Sequence, residues 1–308
     1  MIFAHRRSGR LFVLILTYFI VFVSSLLPQL ETSFPPSPCV VGEMRTYKVL
    51  PGDGLYAIAR SHGLAYPAVA RANRIDDPNV VWAGRQLVLP TRFILPAHCK
   101  EGMVVNIPEY RLFLFRSGIA LAAYPVAVGL PTWRTPIGSF SVTSRVPNPA
   151  WYMPPELAER EKVQREVVEP GPDNPLGDFW IGTSIRHAGI HSTNCPMSVG
   201  RALSHGCVRL YPEHIEALFG AVRVGDVGEF IYEPVKVAVD GDGVFVEIHP
   251  DLYRLIPDLT REAEELLRAV GAWERVDVAL LLQAVAEARG IPVDVGAAQS
   301  APTLNNRR

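Results

Sequence analysis

Short segments of alternating apolar and polar residues follow one another from Met103 to about Glu233, and they constrain the fold more than any other feature of the chain. A period of two is typical of strands that bury one face, and turn residues separate the segments. Helical periodicity is scarce in this region until residues 213–219. We therefore predict a mostly β domain, built as a sandwich or as a barrel-like sheet.

The charge balance argues against one large class of partner. Lys and Arg total 30 against 31 Asp and Glu, so the formal net charge is −1. Phosphate binding requires a basic surface, and we therefore expect no nucleic-acid partner. With 48% hydrophobic residues the chain can bury a core, whereas four cysteines are too few for a disulfide scaffold in 308 residues. The length predicts about two domains, and composition alone names no activity.

The N-terminus has the pattern of an export signal. Three arginines, the last of them Arg10, precede residues 11–27, which contain no charged side chain. Basic residues followed by such a run are typical of a secretory signal or a signal anchor. The run is long for a signal and short for a spanning helix, which needs about 20 residues, so cleavage and anchoring both stay open. We assign residues 1–28 to this signal and the proline-rich residues 29–44 to a stiff linker.

Residues 45–92 show the order strand, helix, helix, strand. A β-branched and aromatic strand is followed by a turn in which Asp53 can cap the first helix, and a strand at residues 86–89 returns after the second helix. A βααβ unit of this size resembles a LysM module, the small fold that binds N-acetylglucosamine chains. The matching residues are Tyr47, Gly52-Asp53, Ile58-Ala59, Asn73 and Gly84-Arg85-Gln86-Leu87. The resemblance implies glycan binding, and a purely structural spacer is the alternative.

Two cysteines, Cys39 and Cys99, bracket the LysM-like segment. A βααβ unit places its two strands side by side, so its flanking residues should come close together. In an oxidising compartment we therefore predict a disulfide between these two residues, closing a loop of about sixty residues.

The residue types that carry chemistry are concentrated between residues 189 and 210. This segment holds two histidines, His191 and His205, the thiol of Cys207, and several glycines. A cysteine becomes a useful nucleophile as a thiolate, which requires an imidazole within hydrogen-bond reach. Glycines let backbone amides approach a substrate oxygen. The segment therefore predicts a Cys–His site for acyl transfer.

The spacing in this segment is more specific than its composition. His191 is followed sixteen residues later by the cysteine of the run Ser204-His205-Gly206-Cys207-Val208-Arg209. This pattern resembles the L,D-transpeptidase family, with a YkuD-type catalytic domain over about residues 102–234. The stretches GLPTWRTPIGSF at residues 129–140 and PGPDNPLG at residues 170–177 are also similar to the family.

The resemblance implies a role for each site residue. Cys207 would attack the carbonyl that joins diaminopimelate to the terminal D-Ala of a peptidoglycan stem tetrapeptide. His191 would take the thiol proton and later deliver one to the departing D-Ala amine, and Ser192 would orient His191. The oxyanion pocket and substrate contacts would be formed by Ser204, His205, Gly206 and Arg209. The mechanism requires no metal and no organic cofactor.

The resemblance leaves the acyl acceptor open. An amine of a second stem would give a 3→3 cross-link, a lysine would attach an anchored outer-membrane lipoprotein, and water would make the enzyme an L,D-carboxypeptidase. The implied partners are peptidoglycan stem peptides and glycan strands, and the implied compartment is the periplasm, with the inner membrane as a possible anchor. Such an enzyme would act in cell-wall biogenesis and cell shape.

Other interpretations of the same residues are weaker. His187, His191 and Cys195 lie at i, i+4 and i+8, which would suit zinc on a helix, but Gly189 and Pro196 interrupt a helix there. A papain-like protease is disfavoured because its cysteine usually precedes the histidine by a long interval. A wall-anchoring glycan-binding protein with a degenerate site is disfavoured by the complete motif. Three tryptophans are expected in the core or in the cleft walls: Trp133, Trp151 and Trp180.

The chain after residue 234 changes pattern again. Alternating apolar residues predict a hairpin over residues 235–248. Thr260 is the expected cap of one helix, and a second amphipathic helix is expected over residues 276–289. We expect residues 235–295 to form a hairpin and helical extension that packs on the catalytic domain, with a docking surface for the acyl acceptor as the alternative role, and residues 296–308 to be disordered. The complete chain is predicted to be an α+β protein.

Overall fold

The structure, a computed structural model, describes residues 39–97, 101–164 and 167–297. The apolar N-terminal run, most of the predicted linker, Cys99 and most of the predicted C-terminal tail lie outside these residues. Within the described residues, no helix is long and apolar enough to cross a membrane.

The LysM-like segment has the predicted βααβ order. Strands β1 (Val40–Val41) and β2 (Arg45–Lys48) are followed by helices α1 (Leu55–Ser61) and α2 (Tyr66–Ala72), then by β3 (Gln86–Leu89) and β4 (Phe93–Ile94). β2 pairs antiparallel with β3, and β1 with β4. The two helices pack on the central pair of strands through a small apolar core that contains Leu55, Ile58, Val69 and Leu87.

The turn before α1 differs from the prediction. Gly54, not Asp53, is the residue at the helix N-terminus, and no side chain caps that end. The Asp53 carboxylate instead accepts hydrogen bonds from the Leu50 amide and the Tyr47 hydroxyl, each at 2.8 Å. Asp53 therefore stabilises the turn rather than the helix, because its carboxylate reaches back to donors in the preceding strand and turn.

The catalytic segment is a closed sheet of nine strands. In chain order its elements are β5 (Gly102–Asn106), β6 (Arg111–Arg116), β7 (Ile119–Gly129), β8 (Gly138–Pro147), β9 (Trp151–Tyr152), α3 (Pro155–Glu161), β10 (Val167–Val168), β11 (Phe179–Thr183), β12 (Gly189–His191), β13 (Ala202–Ser204), β14 (Val208–Leu210), α4 (Pro212–Ala221) and β15 (Val227–Ile231). The order across the sheet is β13-β7-β14-β12-β11-β8-β15-β5-β6, and β6 pairs with β7 to close it. The barrel-like sheet predicted from the alternation is confirmed.

Inward-facing residues of the barrel form one large apolar core, which α4 covers with Ile215 and Leu218. β9, α3 and β10 stand apart from the main sheet and form a separate covering element, here called the cover segment (Trp151–Tyr152 through Val167–Val168). Its buried residues Met153 and Leu157 pack against Trp133. The sequence did not predict this element, because its strands are only two residues long.

The C-terminal extension contains the predicted hairpin and both predicted helices. β16 (Val235–Asp240) and β17 (Gly243–Ile248) form the hairpin, α5 (Leu259–Ala269) and α6 (Val278–Glu287) pack on it, and β18 (Pro292–Asp294) adds an unpredicted third strand. The cap of α5 is Asp258 rather than Thr260. Its carboxylate accepts from the Thr260 amide at 2.8 Å and the Arg261 amide at 3.1 Å, which are two of the donors that a helix start leaves free.

The three segments are joined by specific polar contacts. Arg60 of α1 forms a bidentate pair with Glu213 of α4, both bonds at 2.8 Å. Lys236 of the extension lies 2.7 Å from Glu109 in the β5–β6 turn. Ion pairs and hydrogen bonds thus connect the LysM-like segment and the extension to the barrel.

Candidate active site

Two neighbouring strands bring the predicted catalytic residues together. β12 and β14 run parallel, with Ile190 opposite Val208 and His191 opposite Arg209. Ile190 and Val208 are buried in the barrel core. Because successive side chains of a strand point to opposite faces, His191 and Arg209 lie on the outer face. Cys207 directly precedes β14, and it lines the same groove as these two residues.

The neighbouring strand β11 supplies an aromatic support for the imidazole. Trp180 lies opposite His191 in the sheet, and their rings stack with centroids 5.8 Å apart and planes at 29°. Gly189 makes this possible, since a Cβ at this position would lie 2.0 Å from the Trp180 ring. A larger residue at position 189 would therefore displace the ring on which His191 rests.

His191 is 3% exposed and is held as a neutral imidazole. Burial lowers its pKa to about 3, and the positive charge of Arg209 acts in the same direction. Backbone hydrogen bonds with Ser192 and Leu176 oppose this shift. Nδ1 has no hydrogen-bond partner among the described residues. The site therefore contains a neutral ring with a nitrogen that can still accept a proton.

The Cys207 thiol is also neutral in this state. Burial raises its pKa, while a hydrogen bond with the Gly189 backbone and the charge of Arg209 act to lower it. The Sγ atom lies 3.7 Å from the carbonyl oxygen of His187, to which the thiol donates a weak hydrogen bond. The thiol proton thus points to a backbone carbonyl, and ionisation of Cys207 requires a change of partner.

Two further polar groups on this side of the barrel lack partners. Within the described part of the chain, Ser192 Oγ and Arg209 Nε are buried without a hydrogen bond, and Arg209 forms no ion pair. Buried polar groups in folded proteins are normally satisfied, so each exception calls for a physical reason. An Arg guanidinium without a counter-ion is a natural receptor for a carboxylate.

The residues before Cys207 form a tight turn. Ser204 Oγ donates to the Cys207 carbonyl and accepts from the Gly206 amide at 3.3 Å. Gly206 has φ +108°, in a region that side chains with a Cβ rarely adopt. His205 is exposed, and its ring packs edge-on against Trp133 with centroids 4.4 Å apart. The turn before Cys207 is therefore held by the hydrogen bonds of the Ser204 side chain and by the packing of His205 on Trp133.

A groove of about 910 Å³ opens over these residues. Its floor contains Cys207, His191 and Arg209. All three tryptophans that the sequence placed in the core or the cleft walls line it, namely Trp133, Trp151 and Trp180. The size and apolar walls suit a peptide-sized ligand.

Some groups at the site were not foreseen from the sequence. The cover segment forms part of one wall, and the His187 carbonyl contacts the thiol. The 170–177 stretch was singled out by its resemblance, and it contributes Leu176, whose backbone contacts His191. A backbone carbonyl carries no residue-specific signal, which is why only the stretch and not the contact could be anticipated.

Other sequence candidates lie apart from this centre or outside the description. Cys195 is exposed at the start of a short 3₁₀ helix, Pro196–Ser198. The segment that would need to be a helix to present the proposed zinc ligands is strand and turn instead. Cys39 is exposed, and the predicted disulfide stays a prediction because Cys99 is outside the described residues.

Comparisons with known proteins agree with this geometry. The YkuD family profile, described as the L,D-transpeptidase catalytic domain, matches residues 100–237. "Probable L,D-transpeptidase YcfS" of Escherichia coli strain K12 is 30% identical over 300 residues, which cover 91% of this chain and 93% of that protein. The chain belongs to the L,D-transpeptidase family. Its LysM-like segment matches the LysM domain profile over residues 47–90.

Two further comparisons cover most of this chain or less than half of it. "Probable L,D-transpeptidase ErfK/SrfK" of Salmonella typhimurium strain LT2 is 29% identical over 301 residues, which cover 93% of this chain and 95% of that protein. The NMR structure of the Enterococcus faecium L,D-transpeptidase catalytic domain aligns with 44% of this chain and 99% of that one, at 20% identity and a TM-score of 0.36. The family assignment rests on the sequence relatives.

Proposed function

We propose that this L,D-transpeptidase forms an acyl-enzyme at Cys207 with a peptidoglycan stem tetrapeptide and releases D-Ala. One observation carries the assignment of residues. A neutral buried imidazole with an unpartnered Nδ1 lies on the same face of the barrel as the thiol, in a groove large enough for a peptide. Nucleophile, base and binding space therefore coincide.

The first half-reaction needs only residues of this chain. The Sγ–H proton leaves the His187 carbonyl and passes to His191 Nδ1, and the thiolate attacks the carbonyl carbon before D-Ala. The tetrahedral intermediate breaks its C–N bond, and His191 returns the proton to the D-Ala amine. A thioester with Cys207 and free D-Ala are the products. The Ser192 backbone orients the ring during both proton transfers.

Arg209 has a role in binding and in ionisation. Its guanidinium has no counter-ion in the described chain, so a carboxylate of the stem peptide would supply the missing negative charge. Before substrate binds, its charge favours the thiolate and disfavours a protonated His191. The backbone of the turn Ser204-His205-Gly206 supports the oxyanion that forms next to Cys207.

The second half-reaction determines the biological product. An amine of a second stem gives a 3→3 cross-link, and a lysine of an outer-membrane lipoprotein gives an anchored lipoprotein. Hydrolysis would make the enzyme an L,D-carboxypeptidase. We favour transfer over hydrolysis because the groove is lined by apolar aromatic side chains, which limit water at the thioester.

The flanking segments fit an enzyme of the cell envelope. We propose export by residues 1–28 to the periplasm, and glycan binding by the LysM domain at residues 45–92. The partly exposed Arg60–Glu213 pair connects that domain with the catalytic barrel at residues 102–234, so a bound glycan strand would be attached to the same unit as Cys207. The domain bounds stated from the sequence are part of this proposal.

The decisive experiment is incubation with purified tetrapeptide muropeptides and mass analysis of the products. Wild-type protein should release D-Ala and yield a tetrapeptide–tripeptide dimer, and addition of a lipoprotein C-terminal peptide would reveal lysine attachment. A tripeptide as sole product would assign the carboxypeptidase activity. If no D-Ala is released while iodoacetamide still labels Cys207, the chain is instead a glycan-binding protein with an inactive site.

A further inference from the structure

A tyrosine of the C-terminal extension lies beneath the active site without contacting the substrate groove. Tyr253 follows β17, is 2% exposed, and packs into the barrel core. Its backbone amide donates to the Tyr232 hydroxyl at 2.6 Å. Tyr253 is therefore attached to the barrel segment through its backbone amide and through its packed ring.

The Tyr253 hydroxyl joins the two ends of one loop. It donates to the Gly129 carbonyl at 2.8 Å and accepts from the Thr135 amide at 3.1 Å. The Thr135 hydroxyl completes the closure by accepting from the Gly129 amide at 2.9 Å. Arg134 Nη2 adds a bond to the Tyr253 carbonyl at 3.0 Å. The loop at residues 129–135, here called the neck loop, is thus closed by a residue more than a hundred positions away.

The neck loop is in direct contact with the turn that carries the nucleophile. The Leu130 amide donates to the Ser204 carbonyl at 2.9 Å. Trp133 packs on His205. The Arg134 carbonyl oxygen lies 3.4 Å from where a Cβ of Gly206 would be. Ser204 and His205 therefore contact the neck loop, and Gly206 lies next to it.

We infer that Tyr253 is a positioning residue for acylation, acting through the neck loop on the turn Ser204-His205-Gly206. The inference rests on the proposed reaction at Cys207 and adds a residue of the extension to its machinery. An oxyanion pocket built from a turn works only when the turn is held in place, and displacements near 1 Å can cost about 10²-fold in rate. The extension is accordingly part of the catalytic unit.

Tyr253→Phe tests this inference, because it removes the hydroxyl and keeps the ring. We expect D-Ala release to fall about 10-fold through kcat, with KM little changed. Alkylation of Cys207 by iodoacetamide needs the thiolate but no oxyanion pocket, so its rate and pH profile should stay at wild-type values. A general loss of structure would lower both rates together, and that outcome would overturn the inference.

Matched variants keep the test decisive. Tyr211→Phe removes another buried hydroxyl, whose bond goes to the Leu64 carbonyl at 3.3 Å and not to the neck loop, and it should leave both rates unchanged. Thr135→Val should also lower D-Ala release without changing the alkylation of Cys207. Thr135→Ser keeps the hydroxyl and should retain wild-type D-Ala release. If Tyr253→Phe does not fold, the Thr135 pair decides alone, and equal D-Ala release in both Thr135 variants and wild type would refute the inference.

Failure of the proposed function would look different. In that case wild-type protein and Cys207→Ser would release equally little D-Ala, whatever residue stands at position 253. A wild type that acylates, beside a Tyr253→Phe variant that acylates as fast, would refute the positioning role alone.

Discussion

Two buried polar clusters in this protein differ in their charge balance. At the junction of the three segments, Lys236 Nζ lies 2.7 Å from Glu109 and 3.1 Å from Glu247, and His249 Nε2 is 2.8 Å from the same Glu247 carboxylate. Arg111 lies 3.3 Å from Glu109. Two carboxylates thus face two cations. In the active site, by contrast, Arg209 faces no carboxylate in the described chain.

The comparison indicates which polar cluster stabilises the fold and which one is available to bind a ligand. Glu109, Glu247 and His249 place possible metal ligands within 4.8 Å of one another, but the Lys236 ammonium already supplies the positive charge between the carboxylates. Burial would raise the pKa of Glu247, and the charge of Lys236 with the His249 hydrogen bond outweighs it and lowers that pKa. The charges of the Lys236 cluster compensate one another, whereas Arg209 in the active site is left without a counter-ion and could bind a carboxylate.

Replacing the nucleophile should give the largest effect. Cys207→Ser is expected to lower D-Ala release at least about 10³-fold, because a hydroxyl is far harder to ionise than a thiol. Cys195→Ser is the matched control, since Cys195 is exposed and should contribute nothing to turnover. Release of D-Ala measured by a coupled assay checks both variants. A loss of activity in Cys195→Ser would place a second thiol in the reaction.

Disrupting the cluster of Lys236, Glu109 and Glu247 should lower stability and leave turnover unchanged. Lys236→Met leaves Glu109 and Glu247 buried without their common cation, which should lower the free energy of unfolding by about 3–5 kcal/mol. Urea denaturation measures this loss. The folded fraction should keep wild-type turnover per molecule. A variant as stable as wild type would show that the cluster is not held by its charge balance.

Disrupting the active-site cluster around Arg209 should instead lower D-Ala release and leave stability nearly unchanged. Arg209→Met removes an unpaired, partly buried charge, so the free energy of unfolding should stay within about 1 kcal/mol of wild type or rise. D-Ala release should fall about 10²-fold, since the substrate carboxylate loses its partner. The pKa of Cys207, followed by iodoacetamide labelling against pH, should increase because Arg209 favours the thiolate. A large loss of stability would make Arg209 structural.

The last prediction concerns stability in acid. The folded-state pKa of His191, about 3, lies below the value of about 6.5 in the unfolded chain. The unfolded state therefore binds the proton first, and stability falls as the pH drops from about 6.5 towards 3. His191→Gln should remove up to about 1.4 kcal/mol per pH unit from this slope. His214 and His249, whose pKa values burial also lowers, contribute to the remaining slope, and Glu213 and Glu247, whose pKa values ion pairs lower, add to it in more acidic solution. Denaturation curves at several pH values that coincide for both proteins would contradict the assignment.

Much of the local structure could be predicted from residue patterns. The returning LysM strand at Gln86–Leu89 and the hairpin strands beginning near Val235 and Val244 agree with the structure, because period-two alternation depends only on which face is buried. The helix caps were less accurate. Asp258 and not Thr260 caps α5, since both residue types can cap and neighbouring positions compete.

The spacing of His191 and Cys207 also indicated the family. In the structure this spacing runs from the end of β12 through the short 3₁₀ helix and β13 to the turn before β14. What the sequence could not indicate was the state of these groups. The low pKa of His191 results from its burial and from the charge of Arg209 on the neighbouring strand, and the missing counter-ion of Arg209 depends on which side chains the fold brings near it.

The sequence by itself determined the order of the segments, the alternation that makes the barrel, and the chemical identity of the nucleophile and its base. Only the tertiary structure decided that Tyr253 closes the neck loop, that Lys236 balances Glu109, and that no carboxylate in the described chain reaches Arg209. The physical reason is the sequence separation of the residues that each property depends on. Strand alternation and motif spacing depend on neighbours along the chain, whereas burial and charge balance depend on neighbours in space that the chain brings together only on folding.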